Sequence, residues 1–316
     1  MTVQSIEQIA PLTRKTLGGV WPALIVPWTD DDQVDEERFV RECRSYGGTG
    51  VRGIYTGGTT GEYYAQDDEA FARITRIACE EGRAAGLAVQ IGCTALSTRT
   101  ARRRIAVALE AGADGIQIAY PFWLELKPDE VLSFFKDIAR EAGTTPIILY
   151  HTSRAKRKLS PEEIGVIARE VPTFIGMKDT GCDIDTLKAM LKTAPDLAIS
   201  GGEDFFDRLP AGGRGGYCSI TGLNARFVVK CHNLCEAGKF KEAEPYHRTI
   251  KRLLDEALLP MHHNEGLFDS AIDRVQRVAG GGDVGLRCQG PYRSGNPEHV
   301  RRVKEWCRAN APELLA

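Results

Sequence analysis

The stretch "FIGMKDTGCD", residues 174–183, sets a lysine at the end of an apolar run that reads as a buried strand. Lysine is among the residues least often buried without a partner. Either Lys178 is the solvent end of an edge strand, or the fold holds an amine inside a pocket. The rest of the chain bears on that choice. Runs of the same character recur at 20–27, 51–55, 88–93, 115–119, 146–150, 198–200 and 216–220, which with 174–178 makes eight strand-like segments. Most are continuously apolar, as expected of parallel strands covered on both faces.

Helical patterns lie between them, at 35–46, 67–81, 97–111, 128–142, 184–192, 205–211 and 224–237. One more is opened by "SPEE", 160–163, in which serine caps, proline takes the first helical position and glutamate closes the capping box. Eight short β/α units make a closed (β/α)8 TIM barrel the economical fold. An open doubly wound sheet is the alternative, but its G-x-G-x-x-G loop after the first strand is missing. The expected division is an N-terminal extension at 1–18, a catalytic barrel at 19–238 and a C-terminal helical region at 239–316.

Composition narrows the partners. A formal net charge of −2 gives no electrostatic case for nucleic acid. No apolar run approaches the roughly 18 residues that span a bilayer, so no membrane role is expected. The nine cysteines are scattered without disulfide spacing, as in a cytoplasmic protein with free thiols. Cys231, His232 and Cys235 do not make a zinc set, because a histidine one residue on from Cys231 leaves the face that the two cysteines share. They read as small apolar and core residues of a helix, and no metal or other cofactor is expected.

In such a barrel, chemistry gathers at the carboxyl ends of the strands. There the sequence offers "GGTTGE" (57–62), Cys93–Thr94, "PFW" (121–123), Tyr150 followed by "HTSR", Lys178, "SGGED" (200–204) and "CSIT" (218–221). Tyr150 and Lys178 end neighbouring strands about 4.8 Å apart, so their tips can share one cavity. A desolvated lysine amine loses basicity and attacks carbonyls at neutral pH. A phenol beside it can move protons. The Gly-Thr turn offers backbone N–H groups and two hydroxyls to a small carboxylate.

"GTTGE" at 58–62, a tyrosine ending the fifth strand and "GMKDT" at 176–180 resemble the dihydrodipicolinate synthase/N-acetylneuraminate lyase family, over roughly residues 18–238. The resemblance implies a class I enzyme that forms a lysine Schiff base with pyruvate or a related 2-oxo acid, needs no metal, and assembles as a homotetramer. It makes Lys178 the imine-forming lysine, Tyr150 the proton-transfer tyrosine and Thr59 its relay partner. Thr60, with Gly58 and Gly61 in the same turn, becomes the carboxylate binder. Gly201 and the carbonyl of Cys218 stand where further substrate contacts are expected. Phe122–Trp123 replaces the tyrosine pair usual in the synthase, and Arg154 comes one residue early for its second-carboxylate arginine. Trp123 and "TALSTR" (94–99) are closer to hydratase-aldolases; "GEYYA" (61–65) and "DID" (183–185) lean toward 2-keto-3-deoxy sugar acid dehydratases and aldolases. Four readings follow: a Schiff-base lyase or aldolase of this kind, the synthase proper, a sugar acid dehydratase or hydratase-aldolase, and a barrel that only senses a 2-oxo acid.

Overall fold

The computed structural model describes residues 9–315; the first eight residues of the expected extension lie outside them. Eight strands follow in order: β1 Gly19–Val20, β2 Gly53–Thr56, β3 Ala88–Gly92, β4 Gly115–Ile118, β5 Ile147–His151, β6 Phe174–Asp179, β7 Ala198–Ser200 and β8 Gly215–Gly216. Strands β2 to β7 pair in parallel, each with its successor, and β1 pairs with β8. Bridges from Ala23 to Tyr55 and from Gly201 to Gly216 join the two groups. The sheet closes on itself as a (β/α)8 barrel.

The first and last strands are shorter than the expected 20–27 and 216–220. Pro22 and Pro27 have no N–H to give to a ladder, so β1 stops at Val20 and contacts β2 only through single bonds such as Leu24 N to Tyr55 O at 2.8 Å. After Gly216 the chain turns into a helix whose true start is Asn224: its backbone is non-helical, and its side chain caps Phe227 N at 3.0 Å.

The barrel helices are α1 Glu36–Arg44, α2 Asp68–Ala84, α3 Thr98–Glu110, α4 Pro128–Ala142, α5 Pro161–Glu170, α6 Ile184–Thr193, the short α7 Phe205–Arg208 and α8 Thr221–Glu236. Asp35, Asp67, Ser97, Ser160 and Asp183 accept hydrogen bonds from first-turn amides of their helices, and Ser160 with Glu163 forms the capping box. Four further helices follow: α9 Phe240–Leu253, α10 Leu259–Glu265, α11 Asp269–Ala279 and α12 Pro297–Asn310.

Two ends of the barrel are closed by chain outside the eight units. Leu12 and Leu17, ahead of β1, pack with Trp21, Ala88, Ile148, Ile175 and Ala198 inside the sheet. Gly176 is glycine for this reason: a Cβ there would stand 2.4 Å from Leu17 Cδ2 and 2.5 Å from Ala198 O. Arg14 ties the same segment to the carbonyls of Ala168 and Phe174. At the opposite end α11 reaches the strand tips. Leu17 is fully buried, so Leu17→Ala should lower unfolding free energy in urea by about 2–5 kcal/mol; a change under about 0.5 kcal/mol would mean that the segment does not plug the barrel.

Candidate active site

The parallel register that closes the barrel also assembles the site. Tyr150 on β5 is paired with Lys178 on β6, which is paired in turn with Ser200 on β7. Lys178 is 8% exposed, so the pocket alternative holds and the edge-strand alternative does not. Its Nζ donates to Tyr55 Oη at 2.8 Å. The same nitrogen lies 4.6 Å from the Tyr150 ring centroid, 4.9 Å from that of Tyr55 and 5.6 Å from that of Tyr217. Three aromatic faces therefore take the place of water around the ammonium.

The lowered basicity expected of Lys178 is not what this surrounding produces. Burial works against the charged form, but Tyr150 and Tyr55 outweigh it, the latter also through its hydrogen bond, and hold the amine protonated above the ordinary lysine range. Burial pushes the Tyr55 phenol up to about 12, so that hydroxyl stays neutral. The site thus holds a caged ammonium bonded to a neutral phenol.

Thr59 Oγ1 and Tyr150 Oη are 3.3 Å apart, which puts the expected relay pair within weak hydrogen-bond reach. Thr60 points to a different partner: its Oγ1 donates to Asp273 Oδ2 of α11 at 2.6 Å. Both threonines, Tyr150, Lys178, Arg154, Cys218 and Asp273 line one cavity of about 290 Å³, together with Tyr55, Tyr217, Gly202, Glu203, Asp269, Ile272 and Gln276.

Other expected residues sit differently. Gly58 and Gly61 shape the turn rather than the cavity wall: a Cβ on Gly58 would meet the Tyr55 ring at 3.0 Å, and one on Gly61 would meet Leu24 O at 3.1 Å. Gly201 is spent on the barrel, bonding Gly215 O and Tyr217 N, and the wall position falls to Gly202 and Glu203. The Cys218 carbonyl accepts from Thr221 Oγ1 at 2.7 Å. Arg154 lines the cavity but is engaged by Asp269 at 2.8 Å. Trp123 is 74% exposed and outside the cavity, because the loop after β4 runs outward before Pro128 starts α4. Its neighbour Phe122 faces a small recess with Tyr63 and Tyr150 instead.

What holds the site in shape is buried and charged. Asp179, next to Lys178, accepts from His151 Nδ1 at 2.8 Å and from Arg208 Nη1 at 2.9 Å. Burial alone would raise its carboxyl; the His151 bond and the Arg208 charge overcome that and bring it down to about 2. His151, Asp179 and Cys182 bring three ligand atoms within 4.8 Å of one another. But His151 Nε2 already accepts from Leu159 N, and both Asp179 oxygens have cationic or N–H partners, so the cluster works as a brace across β5 and β6. Cys231, His232 and Cys235 lie in the α8 interior, with His232 packed on Phe205.

Glu62, the last residue of "GGTTGE", is fully buried and joins Trp28 Nε1, Gln289 N and Arg274 of α11. This ion pair fixes α11 over the threonine turn and so delivers Asp273 to Thr60. The sequence reading missed Tyr55, Tyr217 and Asp273, and held Glu203 only as part of the "SGGED" run. One signal was present: Asp269, Ile272, Asp273 and Gln276 share a face of α11 at helical spacing, which sets two acids one turn apart on a single face. Glu62→Ala leaves Arg274 buried and unpaired and should cost about 3–5 kcal/mol in urea unfolding. Arg154→Ala, which breaks a half-exposed pair, should cost under about 1 kcal/mol; equal losses would show that Glu62 does not anchor the helix.

Residues 16–268 match the Dihydrodipicolinate synthetase family. The 4-hydroxy-tetrahydrodipicolinate synthase of Methanopyrus kandleri is 30% identical over 249 residues, 77% of this chain and 80% of that one. The N-acetylneuraminate lyase of Citrobacter koseri is 26% identical over 248 residues, 76% of this chain and 82% of that one. Among solved structures, a prophage protein of the dihydrodipicolinic acid synthase family from E. coli K12, in complex with pyruvate, superposes with a TM-score of 0.84 at 21% identity, covering 93% of this chain and 98% of that one. N-acetylneuraminate lyase from Fusobacterium nucleatum gives 0.81 at 22% identity, over 93% and 99%.

Proposed function

Because the chain belongs to the dihydrodipicolinate synthetase family, a family of Schiff-base lyases and aldolases, we propose that Lys178 forms an imine with pyruvate or a related 2-oxo acid, for aldol addition, cleavage or dehydration. The observation that carries this is the Lys178 amine, buried among three tyrosines beside the Thr59–Tyr150 pair at the strand ends. The substrate carboxylate rests on the Thr59–Thr60 turn. The ammonium gives up a proton and its lone pair attacks C2. Two hydrogens leave with the carbonyl oxygen as water and one stays on nitrogen, so the positive charge is kept. Tyr150 carries protons between nitrogen and oxygen, with Thr59 as the next link. Loss of a proton or of an aldehyde from C3 then sends electrons toward the iminium and leaves the enamine. Addition of an aldehyde, or departure of a protonated hydroxyl from C4, completes the alternatives.

The wall opposite Lys178 favours one class of second group. Glu203 and Asp269 both line it, and Arg154 is paired with Asp269 rather than turned to the cavity alone. Acidic acceptors suit hydroxyl groups better than a second carboxylate. This supports a 2-keto-3-deoxy sugar acid or similar hydroxylated substrate over aspartate semialdehyde, although the M. kandleri relative carries the synthase name. Assays should give pyruvate or a 2-oxo acid semialdehyde from hydroxylated 2-oxo acids faster than the synthase condensation; the reverse order would restore the synthase.

Treatment with pyruvate and borohydride should add one reduced pyruvyl group at Lys178, and Lys178→Ala should take up none. Tyr150→Phe should slow turnover about 10²–10⁴-fold. Labelling elsewhere, or wild-type rates in Tyr150→Phe, would refute the assignment. Binding without any turnover would favour the sensor.

We also infer a cytoplasmic homotetramer. All nine cysteines are free, and among the described residues no helix is long and apolar enough to cross a membrane. Leu96, Trp123 and Leu124 are 57%, 74% and 74% exposed, an apolar surface suited to a further copy of the chain. Replacing Trp123 and Leu124 by serine should shift sedimentation to smaller species; an unchanged tetramer, or a wild-type monomer, would contradict this.

A further inference from the structure

The match to the family ends at residue 268, one residue before α11 begins, yet α11 places a carboxyl group in the cavity. Asp273 is 7% exposed, and its Oδ2 takes the hydrogen of Thr60 Oγ1 at 2.6 Å. Its other oxygen accepts from Gln276 Nε2 at 3.2 Å. Thr60 is the residue to which the proposed function gives the substrate carboxylate, and the inference rests on that reading. Two carboxylates then converge on one hydroxyl beside a buried acid. A hydroxyl has one hydrogen to donate, and two anions at such distances repel strongly where dielectric is low. Arrangements of this kind hold one proton between the two groups.

We propose that Asp273 is a substrate-binding residue that meets the 2-oxo acid as a neutral carboxylic acid, donating its own hydrogen to the substrate carboxylate at Thr60.

The groups facing Asp273 agree. On its own helix Asp269 stands one turn away, and from the end of β7 Glu203 adds a second negative charge; both favour the neutral acid. Two groups oppose them: the Thr60 hydrogen bond, which favours the carboxylate, and the positive Lys178 on β6; Asp269 is partly offset by Arg154. Tyr55 of β2 and Tyr46, just past α1, contribute neutral phenols, both pushed up by burial. Glu62 and Arg274 neutralise each other beneath the helix. The sum leaves burial as the leading cause and raises the Asp273 carboxyl to about 7. The free site therefore holds Asp273 partly ionised at neutral pH, and binding takes up the missing proton.

The iminium keeps the charge of the ammonium it replaces, and Lys178 stays protonated in this range, so imine formation adds no proton of its own. Pyruvate affinity should therefore track Asp273. Titration of the whole protein with pyruvate should show affinity nearly level below pH 6 and falling about fiftyfold between pH 7 and pH 9, from a carboxyl titrating near 7. Calorimetry at pH 8 in buffers of differing ionisation enthalpy should show uptake of about 0.9 proton per pyruvate bound, from the same carboxyl. Asp273→Asn keeps the shape and a donor without a titration, and should bind pyruvate with less than about threefold change over pH 7–9 and with no proton uptake. A steep pH dependence that survives in Asp273→Asn, or no uptake by the wild type, overturns the proposal even if Lys178 is labelled by pyruvate and borohydride. If Lys178 is not labelled at all, the proposed function fails and this inference with it. Should Asp273→Asn not fold, the wild-type proton count alone decides.

Discussion

A primary amine buried at the top of a closed sheet is the constraint that the rest of this molecule serves. Water is replaced around Lys178 by one phenol oxygen and three aromatic faces, from β2, β5 and the segment after β8. Those elements are distant in sequence and meet only because the barrel closes. Closure in turn depends on a plug at the far end, where Leu12 and Leu17 fill the space that Gly115 and Gly176 leave. The site and the core are thus one packing problem. The strands that carry the tyrosines must be held at a spacing that keeps an ammonium solvated by rings.

Two buried charge clusters keep that spacing. His151, Asp179 and Arg208 brace β5 and β6 immediately beside Lys178. Glu62 and Arg274 brace the threonine turn against α11. Each is costly to bury and costly to break, and each sits one residue from a residue of the cavity wall: Asp179 next to Lys178, Arg274 next to Asp273. Placement by a rigid neighbour is what sites need when a shift of about 1 Å can cost 10²-fold in rate. The C-terminal helices are accordingly part of the cavity, since α11 supplies one wall of it.

Much of this was legible in the residues. Eight apolar runs alternating with capped helices gave the barrel, and the register that pairs Tyr150 with Lys178 follows from their both standing one residue before the ends of neighbouring strands. Local chemistry explains what was not. Prolines 22 and 27 shorten the first strand although the run around them is apolar. By its place after β4, Trp123 reads equally as pocket wall or as filler between subunits; whether a loop turns inward depends on contacts that spacing does not encode, and here the side chain is exposed. The basicity of Lys178 depends on which rings surround it, and Tyr55 and Tyr217 come from elements that only the closed barrel brings together. Asp273 lies some 95 residues beyond the lysine, on a helix whose docking is set by the ion pair to Glu62.

The central claim is that the caged amine of Lys178 meets the carbonyl of a 2-oxo acid whose carboxylate lies on the Thr59–Thr60 turn. A crystal structure of the protein soaked in pyruvate tests it most directly. The account predicts continuous density from Lys178 Nζ to C2, with the carboxylate at the two threonines and Tyr150 Oη within hydrogen-bond reach of the imine. Unmodified Lys178 still bonded to Tyr55, with pyruvate bound elsewhere or covalently attached to another residue, would contradict it.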